Sequence, residues 1–575
     1  MTNGSLLKSA SGVQQGDPLG PLLFSLALQK LIKKLHDRLL VVDPSGVDLN
    51  LWYLDDGFLV LNRALVPEAI SLLESEGPKL GLYISANIPK PKCEIYWPSG
   101  QADLQSVKGL SVSDGGPLVL GSPIGSVSFM QSTLDAKLEK LKENHDALMH
   151  LDHAQSQLTL LRFCLSACKV MYLLRTVPPE FSLSFAQKTD DLVRTALASV
   201  MAAHYVPSTS MAYRQAVLPV RMGGLGLTSA VDLVHPAYLG SLVGSATLLM
   251  NMPIQVPVPR NLVDDFFASP GVIDSSNTRD LFDPSNCGAR IQSTLSGLVH
   301  EANFQNLIST PGICDRDVIR LNNVSATQAN AWLRALPNPS FKLAMPSIEF
   351  RIALNHLLGL AVYPRGFTEG RNGESVPVRE VCRSCNVMVD DFGDHDSSCR
   401  EGGRIHRHNA LVNTVAGLMK DAGYSGLKTE PENLVPNDPD ARPADILWSS
   451  GSPPFYGMVD VTVTSSLNSS NKNKSLVEPG YAVLTAQKRK DDNFPLCLRQ
   501  DRRIRFYPLA LDVFGGFTPF GLNFLRTLSL KLSTKQRIPL SVATDRVFQR
   551  VSIVLQYENA VLLDKRSRYD NVLFI

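Results

Sequence analysis

Apolar positions recur along this chain in several distinct rhythms. Over residues 131–151, Leu134, Leu138, Leu141 and Leu148 fall on one face, with Lys, Glu and Asp on the other, which predicts an amphipathic helix. Before it, residues 1–130 mix short apolar runs with Gly/Pro turns and read as α/β. Helical patterns continue to about residue 250. The Pro/Ser/Asn-rich stretch that begins Ile254-Gln-Val-Pro-Val-Pro and ends near 288 reads as a linker or an ordered loop region. A second helical zone covers about 289–365. From 376 a Cys/His/Asp segment is followed by a helical pattern, Ala410–Met419, and then by short β-type runs split by Ser/Asn loops at 449–454 and 465–475. In the final segment, 530–575, Val551, Ile553, Leu555, Leu562 and Leu563 give an amphipathic pattern that predicts packing structure and carries no chemistry.

Length and composition frame this pattern. At roughly 100–200 residues per domain, a chain of 575 residues predicts about three or four units. A hydrophobic share of 44% and a charged share of 19% suit a globular protein. No apolar run is expected to reach the ~18–20 residues of a membrane helix, and the opening ten residues do not have the layout of a secretory signal. The nine cysteines are scattered except for a cluster near 382–399, which points to a reducing compartment rather than a disulfide framework. The net charge of +2 says little about partners.

Two constellations carry chemistry. The first is Leu51-Trp-Tyr-Leu-Asp-Asp-Gly-Phe-Leu-Val60, which reads as strand, tight turn, strand, with Gly57 supplying a positive φ. Adjacent carboxylates at a hairpin tip repel unless water or a cation lies against them, and nucleotidyl transfer uses divalent cations held in this way. An exposed Asp-Asp-Gly turn is the plain alternative. Upstream lies Gly12-Val-Gln-Gln-Gly-Asp-Pro-Leu-Gly-Pro-Leu-Leu-Phe24, a Gly/Pro loop opening an apolar helix.

The second is Cys382-x2-Cys385-x9-His395-x3-Cys399, a spacing suited to a tetrahedral structural zinc. The intervening acidic run, Asp390 to Asp394, would be tolerated beside a cation. Arg404-Ile-His-Arg-His408, Glu430-Pro431, Arg442-Pro-Ala-Asp445 and Gly457-Met-Val-Asp460-Val-Thr-Val463 follow. Carboxylates on adjacent strands with a later lysine make a metal-dependent phosphodiesterase core, although two strand aspartates alone are more often turn or edge carboxylates. Lys488, Arg489, Lys490, Arg499, Arg502, Arg503 and Arg505 cluster against Asp491, Asp492 and Asp501, either a phosphate-binding surface or a solvated charged face.

These segments resemble non-LTR retrotransposon proteins. The Gln-Gly-Asp-Pro-Leu-Gly-Pro loop and Tyr53-Leu-Asp-Asp56 look like the reverse-transcriptase palm, Gly81-Leu82 with Lys92-Cys93-Glu94 like its next motif, and Val119-Leu-Gly-Ser-Pro-Ile-Gly125 like the primer grip. Leu218-Pro-Val-Arg-Met-Gly-Gly-Leu-Gly-Leu227 is similar to a thumb segment. The distal motifs, through Phe506 to Phe517, look like the restriction-like endonuclease of R2-type elements.

The resemblance implies an α/β multidomain chain: a partial reverse-transcriptase palm (1–130), a helical thumb or connection (131–253), a linker and helical region (254–375), a zinc knuckle (376–405), a restriction-endonuclease-like α/β core (406–530) and a C-terminal helical or strand extension (531–575). It implies that Asp55 and Asp56 bind Mg²⁺ (or Mn²⁺), that Gln15 and Gly16 line the template and nucleotide site, and that Lys92 faces the incoming phosphates. In the nuclease, Asp445 and Asp460 are the implied Mg²⁺ ligands, Glu430 a third, and Lys488, then Lys490, the candidate catalytic lysine. Arg404, His408, Lys490, Arg502 and Arg503 are expected to face nucleic acid, with Arg404 and His408 alternatively supporting the knuckle; Cys382, Cys385, His395 and Cys399 are expected to hold Zn²⁺.

The family's palm uses a third carboxylate on an earlier strand, whereas the eleven residues before Gly12 include no acid. An N-terminally truncated, inactive polymerase is therefore expected beside a more complete nuclease. Expected partners are target DNA, element RNA and, for a complete polymerase, dNTPs, with no membrane and a nuclear, otherwise cytoplasmic, location. The rivals are a non-catalytic nucleic-acid-binding relic and a domesticated interaction protein.

Overall fold

The computed structural model describes residues 12, 16–84, 93–98, 106–107, 110–113, 115–249, 257–283, 285, 290–362, 367–369, 375–377, 381–382, 385–399, 403–436 and 438–571. The fold is mixed α/β, dominated by helices, with small sheets. It divides into two compact units, Met1–Lys137 and Leu138–Ile575.

In the first unit α1 (Gly20–Val42) buries Leu28, Leu31, Leu35 and Leu39, a spacing that keeps them on one helical face. β1 (Val47–Tyr53) and β2 (Asp56–Leu61) form an antiparallel ribbon, and α2 (Val66–Glu76) follows. Leu35, Leu39, Leu65 and Ala69 close a small core against Val47, Trp52, Leu59 and Leu61. β3 (Glu94–Tyr96), β4 (Ser106–Val107) and β5 (Leu110–Ser113) make a sheet of order β3-β5-β4; β6 (Leu118–Val119) and β7 (Ser122–Pro123) make a hairpin. α3 (Val127–Met149) crosses the unit boundary.

The β1–β2 turn differs from expectation. Tyr53 pairs with Asp56, so the loop is Leu54-Asp55, and the positive φ falls on Leu54 at 58°. Gly57 lies within β2 opposite Trp52, where a Cβ would come 2.7 Å from the indole. Glycine is there for close approach, not for left-handed backbone.

In the second unit α4 (Ala154–Leu160), α5 (Ala167–Thr176), α6 (Pro179–Val200), α7 (Met211–Ala216), α8 (Ala230–Leu249), α9 (Arg260–Phe267), α10 (Ser276–Arg279), α11 (Ile291–Ile308), α12 (Asp315–Val324) and α13 (Ser347–Leu358) build a helical body. The stretch 154–176 has the length and apolarity of a membrane span, contrary to the expectation that none would. Half of it is buried in the fold, and it is broken at Ser166, whose backbone is extended. Val263 and Phe266 of α9, with Phe282, pack against Leu239, Val243, Leu295 and Val299. The described part of the 254–288 stretch is therefore ordered structure, not linker. Glycine is required at Gly224, where a Cβ would lie 2.0 Å from the Leu218 carbonyl oxygen.

β8 (Phe367–Glu369) and β9 (Ser375–Pro377) pair with each other, and α14 (Asp394–Ser398) leads to α15 (Arg404–Asp421). A four-stranded sheet follows: β10 (Ser425–Thr429), β11 (Ile446–Ser450), β12 (Phe455–Thr464) and β13 (Ile504–Asp512), in that order, with only β12 and β13 parallel. α16 (Lys472–Val477), α17 (Tyr481–Asn493) and α18 (Leu496–Gln500) lie between β12 and β13; α19 (Pro519–Gln536) and α20 (Leu540–Asn571) close the chain.

Strand alternation sorts the two faces. Ile446, Trp448, Val459, Val461, Leu509 and Leu511 enter one large core with α15, α19 and α20. Leu447 and Met458 face Phe494 and Leu498 on the other side. The long helix α20 packs into that larger core: Val551 and Leu555 are buried, and Gln556 and Asn559 both donate to the Val513 carbonyl, at 3.1 and 2.8 Å. Ser552 Oγ accepts from Trp332 N–H at 3.2 Å and Ser466 Oγ lies 3.2 Å from Asn323 Oδ1. These buried contacts join the helical body to the sheet region.

Candidate metal centre and carboxylate site

Two backbone hydrogen bonds hold together the described residues of the first cysteine arm. Cys382 N–H donates to Val387 O at 2.8 Å, Asn386 N–H donates to Cys382 O at 2.9 Å, and Asn386 takes the left-handed φ of 58° that asparagine tolerates. The second arm is α14, which carries His395 and ends at Cys399. The ligand atoms of Cys382, Cys385, His395 and Cys399 all lie within 4.8 Å of one another. Cys382 Sγ and Cys399 Sγ are 3.8 Å apart, and Cys385 Sγ is 3.4 Å from His395 Nε2. A tetrahedron of thiolates about 2.3 Å from zinc has edges of about 3.8 Å, so this donor set could hold a metal ion such as zinc. Among the described residues it is the one group of three or more such side chains placed for a metal.

The acidic run has other work than facing a cation. Asp390 caps α14, accepting from Phe392 and Asp394 N–H at 2.9 and 3.0 Å and from His395 N–H at 2.7 Å. Asp394 takes a two-point bond from Arg316, at 2.5 and 3.0 Å, and Arg316 stacks over Phe392 at 4.0 Å. Arg404 donates to Ser398 O at 3.3 Å, and buried Arg407 donates to Ser397 O at 3.0 Å and Asn559 Oδ1 at 2.7 Å. α15 thus ties the knuckle to the sheet region.

The carboxylates meet at the end of β11. Ile446 pairs with Val459 in the antiparallel ladder, and Asp445 N–H donates to Val459 O at 2.9 Å, so Asp445 stands beside Asp460. Val459 and Val461 enter the large core, which turns Asp460 to the opposite face, toward α17. There Lys490 Nζ donates to Asp460 Oδ1 at 2.9 Å. Asp445 Oδ2 accepts from Val461 N–H at 2.6 Å and lies 3.2 Å from His408 Nε2.

Four titratable groups therefore interlock. Burial pushes the Asp460 carboxyl up to about 6, against the pull of Lys490 and with the Asp445 charge adding to the rise. At Asp445 burial also acts upward, but the His408 hydrogen bond and charge outweigh it and hold the group below its ordinary range. Hydrogen bonding to Asp445 raises His408 to about 9 against burial. The site thus sets an imidazolium–carboxylate pair beside a carboxyl that holds its proton more tightly than an ordinary aspartate.

The other expected residues are placed less centrally. Lys488 is exposed and makes no contact with either aspartate. Glu430 donates its backbone N–H to Asp445 O at 2.8 Å, while its carboxylate takes Arg442 at 2.5 Å. Arg503 is paired with Asp501 at 2.8 Å, and Arg502 is exposed. Asp55 and Asp56 are both exposed at the β1–β2 tip. Gly16 has a left-handed φ of 94°; Gln15 and Lys92 lie outside the described residues. Sequence reasoning missed the pairing of His408 with Asp445, and no local pattern around His408 signals it.

No protein-family model and no curated protein matches this chain.

Proposed function

We propose that the sheet region of the second unit is a metal-dependent DNA-nicking endonuclease within a retrotransposon-derived reverse transcriptase/endonuclease chain. The observation that carries this reading is the Lys490–Asp460 contact beside Asp445. Two hard oxygen donors on neighbouring strands suit Mg²⁺ or Mn²⁺, and a carboxyl whose pKa is about 6 becomes a ligand at little proton cost near neutrality. A divalent ion on Asp445 and Asp460 would supply a lowered-pKa water and charge stabilisation at the phosphodiester. Lys490 would leave Asp460 to hold the attacking water or a phosphate oxygen. His408 would keep Asp445 ionised and in place. The bound zinc would fix α14 and, through Arg407, the start of α15 that carries His408.

The parent activity in this reading is RNA-directed DNA synthesis primed at the nick, with target DNA, element RNA and dNTPs as partners in the nucleus. Asp55 and Asp56 would be its polymerase carboxylates, with Gln15, Gly16 and Lys92 near the template and nucleotide. Among the described residues no third carboxylate joins Asp55 and Asp56.

A second reading, a nucleic-acid-binding relic, draws on one observation: Glu430 is engaged by Arg442, so the nuclease set also has two carboxylates rather than three. Nicking of supercoiled plasmid with Mg²⁺ separates the two. Cleavage by the wild type and its loss in Asp460→Ala supports the nuclease; absence of cleavage by both supports the relic.

A further inference from the structure

A cavity of about 150 Å³ lies between the knuckle arm, the end of β12 and α17. Arg404, Arg407 and Arg489 line it, with Thr464, Asn468 and Thr485 among the polar groups, and no carboxylate is among its lining residues. Arg407 decides what the cavity wants. It is 2% exposed, yet both of its hydrogen bonds go to neutral oxygens, on Ser397 and Asn559, and its Nε has no partner. Burial lowers its pKa to about 10, so it remains a cation at neutral pH. The charges of Asp512 and Glu558 offset part of its burial cost from a distance, but Arg407 hydrogen-bonds only neutral oxygens, and an oxyanion bonded to it directly would lower that cost further. Arg404 and Arg489 add exposed charge at the rim.

We propose that this cavity is a phosphate subsite that grips one backbone phosphate of a nucleic-acid strand. It is separate from the carboxylates: Val463 and Thr464 line it, and Val463 lies three residues beyond Asp460 on β12, about 10 Å at strand rise. A strand held here by Arg404, Arg407 and Arg489 places a neighbouring phosphodiester toward Asp460. The size fits one tetrahedral oxyanion with a few waters, at about 30 Å³ per water. The assignment of the oxyanion to a nucleic-acid strand rests on the nuclease reading; the oxyanion site itself does not.

The test is calorimetric titration of the zinc-loaded full chain with inorganic phosphate at low ionic strength, followed by competition with a short DNA oligonucleotide. The Asp460→Ala variant is titrated in parallel, so that a failed nuclease leaves phosphate binding readable. Expected are saturable binding of one phosphate in both proteins, displacement by the oligonucleotide, and roughly tenfold or greater weakening in Arg404→Ala/Arg489→Ala, which leaves the buried Arg407 in place. Circular dichroism checks that this variant is folded. No saturable phosphate binding, or equal binding by the folded double variant, overturns the site. Phosphate binding that the oligonucleotide does not displace overturns its assignment to a nucleic-acid strand.

Discussion

Lys490 Nζ lies 2.9 Å from Asp460 Oδ1, while Lys488, two residues earlier on the same helix, is exposed. Helical geometry explains the division. Ala482, Val483 and Ala486 form the buried face of α17; Lys490 is about 40° from Ala486 around the helix and Lys488 about 200°. Lys490→Ala is expected to lower Mg²⁺-dependent nicking by about a hundredfold or more, and Lys488→Ala by less than about threefold. Rates of plasmid relaxation measure both; the reverse order would reject Lys490 as the lysine of the site.

The knuckle makes a second prediction. Purified protein is expected to carry one zinc per chain by elemental analysis, and Cys382→Ser or Cys399→Ser to lose it. Because Arg407 bonds Ser397 beside the ligands, losing the metal should also lower the melting temperature of the unit that holds the sheet. Zinc-free protein with an unchanged melting profile in the cysteine variants would remove the site.

Asp232 predicts a pH effect on stability. It is half-buried; desolvation, with Asp190 adding and Asn303 opposing, pushes its pKa from 3.8 up to about 6. The fold therefore favours the protonated form. That contribution is fully present below about 3.8 and is lost as the pH rises through about 6. Asp232→Asn, which keeps an uncharged partner for Asn303, is expected to stabilise by about 1–2 kcal/mol at pH 7.5 and by nearly nothing at pH 4. Denaturant melts at the two pH values check this, and equal destabilisation at both would count against it.

Gly57 makes a fourth. An alanine methyl would come 2.7 Å from Trp52, so Gly57→Ala is expected to cost about 1–3 kcal/mol and to raise amide exchange across 47–61. Unchanged exchange in that ribbon would show that Trp52 moves aside freely.

How much of this was legible in the sequence depends on the range of the cause. Cys-x2-Cys and His-x3-Cys are local, and the cluster they describe is present with tetrahedral edge lengths. The alternation Met458-Val-Asp-Val461 places Asp460 on the face opposite the valines, as period-two spacing requires. That Lys490, not Lys488, lies near the buried face of α17 was also readable, from the helical phase of Ala482, Ala486 and Lys490. Other features were not local. The Arg316–Asp394 pair spans 78 residues and accounts for an acid that spacing alone assigned to a nearby cation. Glu430 reads as a third ligand until Arg442 is seen on it. The Leu54 turn follows from which residues pair, and a rule that sends positive φ to glycine misses it. Packing of the 254–288 stretch depends on Leu239 and Leu295, which lie on other helices.

The most direct test is nicking of supercoiled plasmid by the zinc-loaded chain, titrated with Mg²⁺, for the wild type, Asp445→Asn and Asp460→Asn. The account predicts Mg²⁺-dependent conversion to open circle by the wild type and a loss of about a hundredfold or more in each variant. Wild-type protein that carries zinc, is folded and leaves the plasmid intact at every Mg²⁺ concentration would contradict it, as would cleavage that survives both substitutions.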